Sequence, residues 1–392
     1  DLDASCLFVQ GPPGTGKTYT ISEVVIDLLR KGKRIGVASN SHKAINKALE
    51  EVEARAKEQG FSFSGVKKAR DDVPETYFDG PNIKTVTDSK AVGASRALVG
   101  GTAYFFSRAD QRGRYDYLIV DEAGQVSLGN LVAMAGAATN LILVGDQMQL
   151  AQPIQGVHPG ETGLSCLDYL LAGAATVAPD RGILLNESRR MHPDICTFIS
   201  EAIYDKRLNP HPSTKDRHLV VSTSAHPAIS PSGISFLRTR HEGSLQSSPE
   251  EAAAIADLVE TLLKQSLNAN GEVRQLEHKD VLVVAPYNMH VNLLRQTLPP
   301  EIAVGTVDKF QGQEAPVVIL SMTTSRGSEA PRGTAFLFNK NRFNVALSRA
   351  QCLAIVVHSD QLLDGAANQI EDLKRLNLFA HAEVRAVAIT GP

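Results

Sequence analysis

Short apolar runs alternate along this chain with longer stretches whose apolar residues recur at helical spacing. That alternation predicts α/β layers built on a mostly parallel sheet. Cys6 to Gln10 reads as a buried strand. Thr18 to Lys31 puts Ile21, Val24, Val25, Leu28 and Leu29 on one helical face, with Gly32 as its stop. Ile35 to Ala38 is a second strand, followed by a charged helix through Ala56, and strands resume at Ala97–Val99, Tyr117–Asp121 and Leu141–Gly145. Residues 57–81 carry mixed charge with Gly60, Pro74 and Pro81, and they read as a small insertion outside the core. In the second half a helix is expected over Asp194–Tyr204, and the Pro-, Ser- and His-rich stretch 209–233 reads as irregular. Ser247, Ser248 and Pro249 offer cap and first-turn chemistry to a helix over Glu250–Lys264. The remaining strands are Val281–Ala285, Val304–Val307, Val317–Ser321 and Leu353–Val357. The layout predicts two α/β lobes, 1–178 and 179–392.

Composition narrows the classes. Hydrophobic residues are 43 % of 392, enough for a real core in each lobe. The net charge of −3 excludes attachment to nucleic acid or membrane by bulk charge, though not a local basic channel. Cys6, Cys166, Cys196 and Cys352 form no C-x-x-C pair, a pattern that speaks against a zinc or disulfide framework and suits a reducing cytoplasm. No run of about 18 apolar residues exists to span a membrane, and the start has no signal-peptide layout. Because it opens at Asp1 and enters a strand almost at once, a fragment of a longer chain is expected.

The first candidate chemistry is a phosphate site. Gly11, Pro12, Pro13, Gly14, Thr15, Gly16, Lys17 and Thr18 fit G-x-x-x-x-G-K-[ST], between a predicted strand and a predicted helix. Glycines let successive N–H groups turn around a phosphate, and the helix N-terminus adds partial positive charge. Lys17 is placed to reach the β- and γ-phosphates of ATP, and Thr18 to offer a hydroxyl to Mg²⁺. The strand before Asp121 and Glu122 ends in two acids: Asp121 as Mg²⁺ holder, Glu122 as acceptor of the attacking water's proton. An ordinary glycine turn and a charged strand end are the competing readings, and the pair occurring in order argues against both.

A phosphate loop alone also serves kinases. Residues further on discriminate. Val144–Leu150 puts a polar cluster at a strand end, where Gln149 can sense the γ-phosphate or orient water. Arg189 and Arg190 open the second lobe, and Arg349 sits in an apolar helical stretch. Arginines from a second lobe can stabilise transition-state charge and couple hydrolysis to motion; a surface salt bridge is the alternative for each.

The ordered motifs Gly11–Thr18, Ser39-Asn40, Gly101-Thr102, Asp121–Gln125, Gly145–Leu150, Arg190–Pro193, Ala285–Asn288, Gly305–Glu314 and Val345–Ala350 resemble superfamily 1B helicases. The branch is that of the nonsense-mediated-decay RNA helicase and the Okazaki-fragment nuclease–helicase. Ser39–Asn46 is similar, more particularly, to bacterial fusions of a RecB-like nuclease with such a helicase. The resemblance implies two RecA-like P-loop lobes with ATP in the cleft between them. It also implies a single strand of nucleic acid, DNA before RNA, crossing both lobes, and 5′ to 3′ translocation. By motif, Gln149, Arg190 and Arg349 would surround the γ-phosphate, Glu314 would contact the ribose, and Gln313 lies beside it. Ser39, Asn40, Thr102, Pro286, Tyr287, Asn288 and Thr306 would line the strand path.

Two departures bear on nucleotide choice. Relatives carry an aromatic before Arg-Met-His-Pro; here Ser188-Arg189 stands there, so the Arg189 guanidinium plane would take over stacking on adenine. The family also has an adenine-reading glutamine upstream of the phosphate loop and usually a small β-barrel there, and this sequence is expected to open too late to contain either. Local phosphate contacts would come from Lys43, Arg108, Lys309, Arg326 and Arg332, and base contacts from Tyr104, Phe105, Phe106 and Tyr287, with a core role competing for the two phenylalanines. The histidines show no ligand spacing, and His192 is expected to pack or hydrogen-bond. The alternatives are an RNA helicase and a nucleotide-binding scaffold for a partner nuclease; a metabolite kinase would leave Gln149, Arg190 and Arg349 without use.

Overall fold

The computed structural model describes residues 2–93, 96–152, 156–364, 367 and 369–390. The chain divides into two compact units, Asp1–Asn186 and Glu187–Pro392.

The first unit is an eight-stranded sheet. Its strands are β1 (Cys6–Gln10), β2 (Ile35–Ser39), β3 (Gly65–Lys68), β4 (Ile83–Val86), β5 (Leu98–Thr102), β6 (Tyr115–Val120), β7 (Ala138–Gly145) and β8 (Gly182–Leu184). They run in the order β4-β3-β5-β2-β6-β7-β1-β8, every pair parallel. Parallel neighbours require crossovers, and α1 (Lys17–Arg30) and α2 (His42–Glu58) supply two of them. Ile21, Val25 and Leu29 of α1 and Ile45, Leu49 and Val52 of α2 pack with Val37, Ile119 and Val144. Their strand neighbours Ala38, Leu118, Val120 and Leu143 join Phe105 and Phe106 in a second core. Successive strand residues point to opposite faces, so the central strands are apolar throughout because both faces are covered.

The sequence places the unit boundary after residue 178. That boundary leaves out β8, which pairs in register with Phe8, Val9 and Gln10 and so belongs to the first sheet. Residues 57–81 are not an insertion outside the core. They hold β3, which pairs with β5 and β4, and Val66 is buried. A charged residue hides this strand in the sequence: Lys67 is fully buried, with its ammonium against His42 Nδ1 (2.8 Å), the Thr76 carbonyl (2.9 Å) and the Lys68 carbonyl (3.2 Å). Three acceptors match the three donors of a lysine.

The second unit is built on a five-stranded parallel sheet in the order Gly233–Thr239, Ala350–Ser359, Ala315–Ser321, Val281–Val284, Ala303–Gly305. Gly233–Thr239 carries no predicted strand, because its last residues are polar. The stretch 209–233 is not wholly irregular: Asn209–Pro210 and His218–Val220 are short strands, the latter antiparallel to Ser266–Ala269. Helix Pro249–Leu262 starts as expected, with Ser248 Oγ accepting the Glu251 N–H. Its Ile255, Leu258 and Leu262 pack with Val291 and Leu294 of helix Asn288–Thr297 on the sheet. Phe379 of helix Ile370–Thr390 meets Phe236, Phe338, Phe343 and His358.

Burial, and next the charge of Lys68, lowers the Lys67 pKa to about 8. The unfolded chain keeps this proton up to the ordinary value of 10.5, so between about 8 and 10.5 it binds more protons than the folded chain and stability rises with pH. Lys67→Met should remove that rise. Urea unfolding of both proteins across the window checks it, and parallel stability curves would refute it.

Candidate nucleotide and strand-binding sites

The loop between β1 and α1 is shaped by its glycines. Gly14 and Gly16 sit at φ +74° and +77°, the left-handed region open to glycine without steric cost, and Gly16 caps the 14-residue α1. Gly11 N–H donates to the Gly145 carbonyl (2.9 Å), and Lys17 Nζ donates to the Gly11 carbonyl (2.5 Å). A Cβ on Gly11 would lie 2.1 Å from Lys17 Cγ, so only glycine lets the lysine chain fold across the loop. Thr15 Oγ1 closes the turn onto the Pro12 carbonyl. The result is a curled, glycine-rich backbone over a helix N-terminus with one ammonium across it, which is anion-binding architecture.

Asp121 follows β6 and is buried. Its Oδ1 accepts the Glu122 N–H (2.9 Å). Burial foremost, then the neighbouring Glu122 charge, pushes its pKa up to about 7. Glu122 is half-buried at φ +52°, a left-handed backbone that costs a non-glycine residue on the order of 1 kcal/mol or more. Between β6 and β1, β7 ends in Gly145 and the Asp146 turn. Asp146 Oδ2 accepts from Gln149 Nε2 (2.9 Å), and Oδ1 accepts the Met148 N–H. The turns after β6 and β7 touch backbone to backbone. A Cβ on Gly145 would lie 2.7 Å from Gly124 N, and one on Gly124 would lie 2.6 Å from the Asp146 carbonyl.

Ser39 and Thr102 are register partners at the carboxyl ends of β2 and β5. Ser39 Oγ is buried and makes no hydrogen bond, while the Asn40 side-chain amide donates to the Gln125 carbonyl. Asn40 thereby joins the strand-path candidates to the acid turn. Phe105 and Phe106 are buried, edge to face, in the core, whereas Tyr104 is 81 % exposed. Arg108 is paired with Asp110, and Lys43 is exposed.

In the second unit, the expected nucleotide residues fall into one cluster. Arg190 donates to the Glu314 carboxyl and to the Ser348 carbonyl (3.1 Å). Gln351 Nε2 donates to the other Glu314 oxygen (2.8 Å), and Arg217 holds the Arg190 carbonyl. Burial raises the Glu314 pKa, but Arg190 and the bond from Gln351 outweigh it and hold the group below its ordinary value. Arg349 is buried and donates to the Val345 (3.1 Å) and Gln313 (3.3 Å) carbonyls. Arg189 lies apart from them, exposed and loosely paired with Glu187 at 3.8 Å. His192 caps helix Pro193–Ile203 through Nδ1.

Of the strand-path residues here, Asn288 is exposed and Pro286 and Thr306 are half-buried. Tyr287 is buried with its ring tilted onto Phe336, so it does not present a face for base stacking. Phe336 also carries Arg332 at 3.7 Å and Arg342 at 4.6 Å, and Arg342 is bonded to Asp308.

Residues 1–154 match one AAA domain family and residues 167–361 match another. The chain is 28 % identical to the DNA replication ATP-dependent helicase/nuclease JHS1 of Arabidopsis thaliana, over 91 % of this chain and 27 % of that protein. It is 27 % identical to the DNA polymerase alpha-associated DNA helicase A of Schizosaccharomyces pombe, over 87 % and 59 %. It is 25 % identical to the Regulator of nonsense transcripts 1 homolog of Drosophila melanogaster, over 91 % and 33 %. A solved arterivirus nonstructural protein 10 (helicase) covers 90 % of the chain and is covered over 59 %, with 16 % identity and a TM-score of 0.49. These relatives are consistent with the superfamily 1B helicase resemblance carried by the sequence motifs. It spans between 27 % and 59 % of the length of these three relatives.

Within the first unit, sequence reasoning misses two glutamines. Gln10, the last residue of β1, donates to Gln147 Oε1 (3.1 Å) and the Ala175 carbonyl (2.9 Å) and accepts the Val177 N–H. Gln147 donates to the Ala174 and Ala175 carbonyls. The pair ties the strand before the phosphate loop to the segment 174–177. A lone polar residue closing an apolar strand was the available signal. Among the described residues no group of three or more His, Cys, Asp or Glu side chains is gathered to hold a metal. Asp121 still fits a divalent cation shared with phosphate, because positive charge would offset the penalty of its burial beside Glu122.

Gly145→Ala should force the turns after β6 and β7 apart. The expected cost is about 1–3 kcal/mol of stability with weakened ATP binding. Urea unfolding and nucleotide titration read the two effects, and unchanged values in both would show that the backbone contact is dispensable.

Proposed function

We propose that this chain is the ATP-driven motor of a helicase that translocates 5′ to 3′ on single-stranded DNA. The carrying observation is the rim of the first sheet: buried Asp121 beside Glu122, one strand away from the turn that bonds the Lys17 loop. The two AAA domain matches support ATP as the nucleotide. Lys17 binds the β- and γ-phosphates, and Thr18 and Asp121 hold Mg²⁺, which supplies charge neutralisation on the phosphates. Glu122 takes the proton of the attacking water. Gln149, Arg190 and Arg349 act on the γ-phosphate, Glu314 with Gln313 on the ribose, and Arg189 on adenine. Ser39, Asn40, Thr102, Pro286, Asn288 and Thr306 contact the strand.

DNA is preferred to RNA because two of the three relatives above are named for DNA; the one named for nonsense transcripts keeps RNA as the variant. A RecB-like nuclease in the same full-length chain is the proposed partner module, resting on Ser39–Asn46. The four cysteines are unpaired, which supports a reducing compartment, the cytoplasm. No helix among the described residues is long and apolar enough to cross a membrane.

ATP turnover titrated with matched single-stranded DNA and RNA tests the reading. Stimulation by DNA above RNA is expected; no stimulation by either would leave a nucleotide-binding scaffold. Lys17→Ala should abolish turnover, and Glu122→Gln should retain ATP yet stop hydrolysis. Arg349→Ala should slow hydrolysis by on the order of 10³-fold with binding largely kept. Near-wild-type rates in any of the three would remove that residue from the catalytic set.

A further inference from the structure

None of these roles uses a buried polar cluster at the carboxyl end of the second unit's sheet. Its centre is Glu251, in the first turn of helix Pro249–Leu262 and fully buried. One carboxyl oxygen accepts from the Ser321 hydroxyl and from the Thr323 N–H (2.9 Å). The other lies 3.2 Å from His241 Nε2. His241 Nδ1 meets Ser325 Oγ at 2.8 Å, and Ser325 Oγ accepts the Ser244 N–H at 2.9 Å. Ser321 Oγ also meets His290 Nε2 at 2.9 Å, while His290 Nδ1 accepts the Ser248 N–H at 3.3 Å. Glu251, His290, Ser321, Thr323 and Ser325 are all at most 1 % exposed, and His241 is 5 % exposed.

These contacts assign the hydrogens. His290 Nδ1 is an acceptor, so its hydrogen is on Nε2 and goes to Ser321, whose own hydrogen goes to Glu251. Ser325 Oγ accepts from Ser244 and pairs with His241 Nδ1, and His241 Nε2, facing the carboxyl, donates to Glu251. Two relays and one backbone amide therefore end on one carboxyl group. Burial, its largest influence, lowers the His290 pKa, in keeping with a neutral ring. Ser321 receives a hydrogen from His290 instead of giving its own to the ring, so the imidazole does not activate it as a nucleophile.

The cluster fastens two chain segments. Thr323 is β-branched yet sits at φ +68°, a strained backbone held by its N–H to Glu251. Ser325 N–H to the Ser244 carbonyl and Thr324 Oγ1 to the Leu245 carbonyl, both 2.8 Å, pin the rest of that turn. The next residue, Arg326, is exposed. On the other side, His290 lies in the first turn of the helix that Asn288 opens. Strands Ala315–Ser321 and Val281–Val284, which lead into these segments, are hydrogen-bonded neighbours. We infer that Glu251 is a positioning residue for nucleic-acid binding, fixing the segments that carry Asn288 and Arg326 so that both meet the sugar–phosphate backbone of a single strand. This rests on the helicase reading above.

Glu251→Gln tests it, since the amide keeps the size but puts an N–H where one of the donors points. With an oligodeoxythymidylate as probe, the concentration for half-maximal stimulation of ATP turnover should rise about tenfold, while turnover at saturating probe stays within about twofold of wild type. An unchanged half-maximal concentration would overturn the inference. So would equal losses of maximal turnover and thermal stability, which a purely structural role produces. Ser321→Ala keeps the Thr323 bond and should shift the half-maximal concentration about threefold. It decides the matter if Glu251→Gln does not fold, an unshifted value again overturning the inference. If the wild-type protein is itself not stimulated, the helicase reading falls, and the inference with it, before any variant is compared.

Discussion

Three strand ends of the first unit meet with no side chain between them. Gly11 is bonded to the Gly145 carbonyl, Gly145 lies against the amides of Ala123 and Gly124, and Gly124 lies against the Asp146 carbonyl. Backbone contact of this kind leaves little play, because no rotamer change can absorb a shift. It locks the phosphate loop, the acid pair and the Asp146 turn into one rim, so groups from β1, β6 and β7 keep their spacing. Only a parallel sheet delivers this, since its strands all end at the same edge.

Charge on that rim is treated differently from charge elsewhere. Glu314 is held low by Arg190 and Gln351. Burial works against Glu383, yet hydrogen bonds from His358 and Arg238 bring it down to about 2. Both are carboxylates whose demand is met within the fold. Asp121 is the opposite case, raised by burial and by a like-charged neighbour. A carboxyl left in that state suits a ligand that brings positive charge, whereas the met ones suit architecture.

The parts of the molecule legible in sequence are those where one residue type answers one local demand. Gly14, Gly16 and Lys17 announce the loop, the apolar run before Asp121 announces β6, and Ser248-Pro249 announces a helix start. Long-range satisfaction is what sequence hides. Lys67 reads as solvent-facing because its three acceptors come from His42, Thr76 and Lys68, and β3 is lost with it. Gly233–Thr239 is missed because its outer half is polar, though Ala350–Ser359 pairs along its whole length. Gln10 and Gln147 look like ordinary polar residues until the segment 174–177 is folded against them. Tyr287 looks available to a base until Phe336 covers it.

The left-handed backbone at Glu122 has an evolutionary corollary. Asparagine and glycine occupy that conformation with less strain than glutamate does. Either would relax the turn while deleting the carboxyl group. If Glu122 has its proposed role, drift toward greater thermodynamic robustness at this position runs against retention of hydrolysis. A descendant chain that had been released from hydrolysing nucleotide should betray itself first by a small or amide side chain here.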